Sequence, residues 1–134
     1  MHSADTLGGH GNSNRAADMP AWLRCFEAIA ASANDTLYVA ELAGEVVGTF
    51  QTTLIMSMSS EARPNMVVEA VQTRADLRGR GIGEAMMRYA IERAREAGAR
   101  QVQLTSNNAR TDAHRFYERL GFIKSHAGFK MKLP

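Results

Sequence analysis

A chain of 134 residues that is 45% apolar is one domain's worth of sequence, with enough hydrophobic side chains for a single core. A formal charge of +2 argues against nucleic acid as the principal partner, and no apolar run approaches the roughly 20 residues of a membrane-spanning helix. The one cysteine, Cys25, allows no internal disulfide and fits a reducing, cytoplasmic setting, and no basic-then-apolar leader opens the chain.

Residues 1–18 carry Gly8, Gly9, Gly11 and the polar run Asn12-Ser13-Asn14 with almost nothing apolar. They read as a mobile arm ahead of a single domain over 19–134. Asp18 as N-cap and Pro20 in the first turn start a helix that runs to about Ser32. Trp22, Cys25, Phe26 and Ile29 form its apolar stripe, so Cys25 reads as packing rather than as a nucleophile. After a turn at Asn34-Asp35, residues 37–42 read as a strand, Ala43-Gly44-Glu45 as a hairpin turn and 46–56 as the partner strand. Residues 57–64 are polar and irregular, a loop. A third strand over 66–73 leads into Arg78-Gly79-Arg80-Gly81-Ile82-Gly83 and then a helix over 82–97, with Gly98 as its stop. Ile82, Ala85, Met86, Tyr89, Ala90 and Ala94 trace an apolar stripe along that helix. The charged run 92–96 is most simply its wet face, not a nucleic-acid contact. Residues 101–105 form the next strand, 111–120 a short helix closed by Gly121, and 122–124 with 129–133 a final hairpin. Four to six strands with helices packed on them make an α+β sheet domain.

The glycine turn carries the chemistry. Glycines allow a tight turn and let a backbone approach a ligand with no Cβ in the way. The free N–H groups of the helix that follows then suit a phosphate or pyrophosphate, and Arg78 and Arg80 add positive charge. The pattern is G-x-G-x-G, not G-x-G-x-x-G, and no acidic residue stands at a ribose-binding offset, which disfavours a dinucleotide fold. No G-K-[ST] follows, so it is not a nucleotide-triphosphate loop. His2, His10 and His126 show no ligand spacing, and no metal is expected.

Arg78-x-x-Gly81-x-Gly83 resembles the R/Q-x-x-G-x-G/A signature of the GCN5-related N-acetyltransferases (GNAT family). The segment from Asp112 to Phe122, with Tyr117-Glu118-Arg119-Leu120-Gly121-Phe122, is similar to that family's A-x-x-x-Y-E-x-L-G-F block. The two blocks stand in the family's order, and the resemblance covers roughly 37–133. It implies a mixed, mostly antiparallel central sheet flanked by helices, and transfer of an acetyl group from acetyl-CoA to the primary amine of a small molecule or peptide. A non-catalytic coenzyme A-binding regulatory module is the alternative. The resemblance also implies that Gly79, Arg80, Gly81, Ile82, Gly83 and Glu84 offer backbone amides to the pyrophosphate beside Arg78. It further implies that Val71, Gln72 and Thr73 line the pantetheine arm where the strand splays from its neighbour.

Tyr117 occupies the position of the family's general acid, and a phenol of pKa about 10 is a competent donor to a thiolate leaving group. His114, three residues earlier, could orient Tyr117, contact substrate or be a surface histidine. Glu69, the one carboxylate inside the central strand, shares a face with Val67, Val71 and Thr73 by the period of two. It is a base, a substrate anchor or a structural acceptor. The family's asparagine seven residues before its tyrosine is Arg110 here, so Arg110 and Asn108 are the candidates for that cofactor contact. Family members also open with a strand that residues 1–18 do not offer: Met1 and Leu7 are their sizeable aliphatics, with no alternation. Without that strand, residues 37–42 become an exposed edge, for which a homodimer, or the arm folded back, is the remedy.

Overall fold

The computed structural model describes residues 19–134, so the expected arm over 1–18 and the Asp18 cap lie outside the described residues. Helix α1 (Met19–Ala31) leads into strand β1 (Asp35–Leu42), which pairs antiparallel with β2 (Glu45–Ile55). The β1–β2 turn is made by Ala43 and Gly44, with φ of 53° and 83°, the left-handed pair that matches the twist of a tight hairpin. Asp35 begins its strand two residues earlier than alternation suggests because its carboxylate is tethered. It accepts hydrogen bonds from the Thr53 hydroxyl at 2.5 Å and the Ser32 hydroxyl at 2.7 Å. Those bonds hold the Asp35 carboxyl below the usual carboxylate range.

Strand β3 (Asn65–Thr73) pairs antiparallel with β2, and β4 (Val102–Gln103) pairs parallel with β3, in the sheet order β1-β2-β3-β4. Between β3 and β4 lie a short 3-10 turn (Ala75–Leu77) and helix α2 (Ile82–Glu96); helix α3 (Thr111–Arg119) follows β4. Met86, Met87, Ala90 and Ala94 of α2 bury against Phe50, Met66 and Val68. Gly48 permits the close approach: a Cβ there would sit 2.7 Å from Met86 Sδ. Tyr38 stacks on Phe50 with ring centroids 4.8 Å apart and meets Tyr89 edge-on at 5.5 Å, tying β1 to α2.

Three expectations need correction. The strand expected over 101–105 is reduced to Val102–Gln103, because beyond the Val67↔Gln103 pair β3 and the chain after β4 part. The final hairpin is not formed: 122–134 contains no strand, and Ile123, Phe129, Met131 and Leu133 are exposed. Cys25 is exposed rather than packed, because α1 half-buries only Trp22 and Ile29 among its large apolar residues, leaving Leu23 and Phe26 uncovered. β1 has no outer partner among the described residues. No helix among them is long and apolar enough to cross a membrane.

Candidate active site

The opening between β3 and the chain after β4 is prepared by an irregularity in β3. Thr49 pairs with Gln72 while Gln51 pairs with Glu69, so Ala70 and Val71 together oppose Phe50 alone. Ala70 takes φ of 53°, a conformation uncommon for a residue with a Cβ, and the strand bulges there. The bulge breaks the period of two. Val71 turns inward onto the core cluster with Met86, so Glu69 does not share its face with Val71 as simple alternation requires. Glu69 is exposed and in no ion pair or side-chain hydrogen bond among the described residues. Beyond the bulge Gln72 is buried and Thr73 half-buried. Only Met66 and Val67 pair with β4, so the edge of β3 from Val68 to Thr73 faces the opening with its backbone groups unclaimed by β4.

The glycine turn closes the bottom of that opening. Arg74 fixes its first half, with Nε 2.7 Å from Asp76 and an Nη 2.7 Å from Glu45, while its own N–H donates to Val47 O at 2.7 Å. Leu77 is buried beneath. Arg78 and Arg80 are exposed and in no ion pair among the described residues, so their charge is available. Gly79 and Gly81 have φ of 81° and 83°, and a Cβ on either would meet nothing within 4 Å. Gly81 is the N-cap of α2 and, having no side chain, leaves the first-turn N–H groups of Ile82, Gly83 and Glu84 uncapped. That is the donor set an anion needs. Gly83 has a different role: a Cβ there would lie 3.6 Å from Phe116 Cζ and 3.9 Å from Thr73 Oγ1, so it is the point where α2, α3 and the end of β3 meet.

Phe116 and Tyr117 follow on α3, with ring centroids 5.1 Å apart, and Phe122 packs edge-on against Tyr117 at 5.9 Å. Burial raises the Tyr117 phenol above its ordinary pKa, and the charge of Arg110 pulls it back down. Arg110, which stands where the family pattern has asparagine, is therefore electrostatically coupled to the tyrosine. His114 Nε2 lies 2.9 Å from Asn107 O, a contact that pins the turn into α3 and accounts for this histidine structurally. Asn107, whose Oδ1 accepts from Ala109 N at 2.8 Å, organises that turn, whereas Asn108 is exposed with no hydrogen bond among the described residues. Sequence reasoning missed the Ala70 bulge, which alanine does not announce, and the Arg74 clamp, for which the Arg74-x-Asp76 spacing was a readable signal. No cluster of metal-ligating side chains occurs among the described residues.

A mixed sheet opened between parallel strands, with a glycine turn feeding a helix at the opening and an aromatic helix beside it, defines an acetyltransferase fold. The chain belongs to the Acetyltransferase (GNAT) family, whose pattern matches residues 10–122. It is 46% identical over 57 residues to an aminoalkylphosphonate N-acetyltransferase of Salmonella typhimurium, a match covering 42% of this chain and 37% of that one. The chain spans well under half the length of the curated relatives it matches. Among solved structures, a transcriptional regulator from Bacillus halodurans C-125 superposes with a TM-score of 0.89 at 37% identity, covering 99% of this chain and 89% of that one. The fold is shared with AAC(6')-Iy, solved with a coenzyme A bisubstrate analogue, at a TM-score of 0.75 and 15% identity, over 86% of this chain and 80% of that one.

Proposed function

We propose that this chain is an acetyl-CoA-dependent N-acetyltransferase that acetylates a primary amine, of a small molecule or a peptide, by direct attack in a ternary complex. The observation that carries the reading is the opening between β3 and the chain after β4, ending on an uncapped, arginine-flanked glycine turn. The residues present fit the cofactor: uncapped N–H groups and free arginines for the pyrophosphate, and a strand edge that β4 does not take for the amide-bearing pantetheine arm. Bound acetyl-CoA would supply the activated acetyl thioester. Gly79 to Glu84 with Arg78 would hold its pyrophosphate, and Val71, Gln72 and Thr73 would align its pantetheine. Arg110 and Asn108 remain candidates for further contacts.

Tyr117 would supply its phenolic proton to the thiolate that the attacking amine displaces. A phenol is protonated at neutral pH, as a proton donor must be, and burial raises the pKa of this one further. Glu69 takes the proton that the amine loses, directly or through water, from an exposed position accessible to an incoming cation. The exposed Cys25 lies on α1, outside these elements, and no covalent acyl-enzyme is invoked. The setting consistent with a single thiol is the cytoplasm. The test is a panel of amines with free-thiol release as readout: amine-dependent release supports the reading, and none with any acceptor, despite measured acetyl-CoA binding, overturns it. The second reading, a coenzyme A-binding regulatory module without turnover, is favoured by the name of the solved Bacillus halodurans chain, and that last outcome is the one it expects.

A further inference from the structure

We propose that the Ser106 hydroxyl is a second hydrogen-bond donor to the sulfur of coenzyme A, alongside Tyr117, and that it holds the thiolate while the phenol supplies the proton. The inference rests on the reading of the opening as the seat of the cofactor. Ser106 follows β4, on the chain that walls the opening opposite β3. Half-buried and exposed residues alternate from Gln101 to Ser106, and the half-buried ones are Val102, Leu104 and Ser106. Val102 and Leu104 pack against the cluster that also takes Phe116 and Tyr117, so Ser106 turns toward the side on which α3 lies. Its height in the opening follows from the register. Met66 pairs with Val102 and Val67 with Gln103, and the same offset carried on sets Ser106 level with Ala70, at the bulge of β3.

The Ser106 hydroxyl is buried and has no hydrogen-bond partner among the described residues. Buried hydroxyls are ordinarily satisfied, and one that is not calls for a group that completes it. Ser106 has no structural task to explain it, because the turn into α3 is held by its neighbour. Asn107 O accepts from Arg110 N at 2.9 Å and lies 2.9 Å from His114 Nε2, and Asn107 Oδ1 accepts from Ala109 N at 2.8 Å. That turn fixes the place of the hydroxyl before any ligand arrives. A cofactor with its pyrophosphate on the glycine turn enters past Thr73, which Gly83 adjoins. Its arm would run along the edge of β3 that β4 leaves free, and Thr73 to Ala70 is about 10 Å of strand. The reactive end would then fall where the opening narrows, between the bulge and Ser106. On the β3 side, backbone N–H groups unclaimed by β4 can serve the acetyl oxygen; on the α3 side, the sulfur has the hydroxyls of Tyr117 and Ser106. A fixed donor aimed at sulfur strengthens as negative charge develops there. Ser106 keeps its own proton, since an alcohol is too weak an acid to yield it to a thiolate, and the proton that ends on sulfur is the phenol's.

Calorimetry of the full chain with coenzyme A and with desulfo-coenzyme A, in which hydrogen replaces the thiol, reads this contact without turnover. At about pH 9.5 a thiol of ordinary pKa, about 8.5, is ionised. Under those conditions Ser106→Ala is expected to bind coenzyme A about tenfold or more weakly than the parent, the loss that goes with one hydrogen bond to a charged group. Its affinity for desulfo-coenzyme A should stay within about twofold of the parent's, because the rest of the ligand does not meet Ser106. Without ligand, Ser106→Ala is expected to melt about 3 °C or more above the parent, since it removes a buried hydroxyl that lacks a partner. A variant that binds coenzyme A as tightly as the parent, or that loses the same factor for both ligands, would overturn the proposal and leave the cofactor's seat where it is. A lower melting temperature would make Ser106 a structural residue and overturn it as well. Failure of the parent itself to bind coenzyme A is the distinct outcome that removes the reading of the opening, and this inference with it.

Discussion

Gly81 offers a clean separation of backbone strain from ligand binding, because the hairpin glycine Gly44 is its conformational twin. Both have φ of 83°, and a Cβ on either meets nothing within 4 Å. Alanine at each should therefore cost the same strain, about 1–2 kcal/mol for a left-handed residue with a Cβ. For a chain of this size that is a fall in Tm of roughly 3–10 °C. The two differ in what the open space is for. At Gly44 it is solvent beside the β1–β2 turn; at Gly81 it is the mouth of an uncapped helix flanked by Arg78 and Arg80. A methyl group there would hold a pyrophosphate off one or two charge-assisted hydrogen bonds, each about 1.5–3 kcal/mol. Affinity should then fall by about tenfold if one weak bond is lost and by about ten-thousandfold if two strong ones are. Gly81→Val should cost more on both counts, since a β-branched residue tolerates the left-handed region least. Calorimetric titration with coenzyme A, run on both alanine variants alongside thermal melts, reads the two effects separately. If both variants melt early and bind coenzyme A equally well, the glycine turn is not the pyrophosphate site.

Tyr117→Phe should lower kcat by about 10²–10⁴ with little change in acetyl-CoA affinity, and unchanged turnover would make the tyrosine a packing residue between Phe116 and Phe122. Because burial raises the folded pKa of Tyr117 above its unfolded value, its contribution to stability is complete below about pH 10 and is lost as pH rises through the folded pKa. Absorbance titration at alkaline pH should show one phenol ionising late, and Arg110→Gln should delay it further. Glu69→Gln should flatten the acid limb of the kcat/KM profile, and a limb that persists would assign the proton to water or to an amine that arrives neutral. Asp35 has its pKa lowered by Thr53 and Ser32, so its contribution is present above the ordinary carboxylate pKa and is lost as pH falls through the folded value. Asp35→Asn should accordingly melt below the parent at pH 7 and alongside it near pH 2, and a difference that did not shrink with acid would assign the effect to packing.

Much of the frame was legible because it is local. The Ala43-Gly44 turn, the apolar stripe of α2 and the strand–glycine–helix order around Gly81 follow from periods of two and 3.6 and from the conformational needs of single residues. Tertiary structure decided what each of those faces meets. The bulge at Ala70 arises from the register of β3 against β2, where one residue, Phe50, opposes two, and alanine carries no mark of it. That bulge turned Val71 onto the core and left Glu69 exposed, which alternation along the strand had coupled. The stripe through Cys25 and the alternation of Phe129, Met131 and Leu133 were both visible as surfaces suited to burial, yet neither is covered within the described chain. Periodicity reports that a face is apolar; the neighbour that removes it from water is chosen by long-range pairing, which a local pattern does not contain.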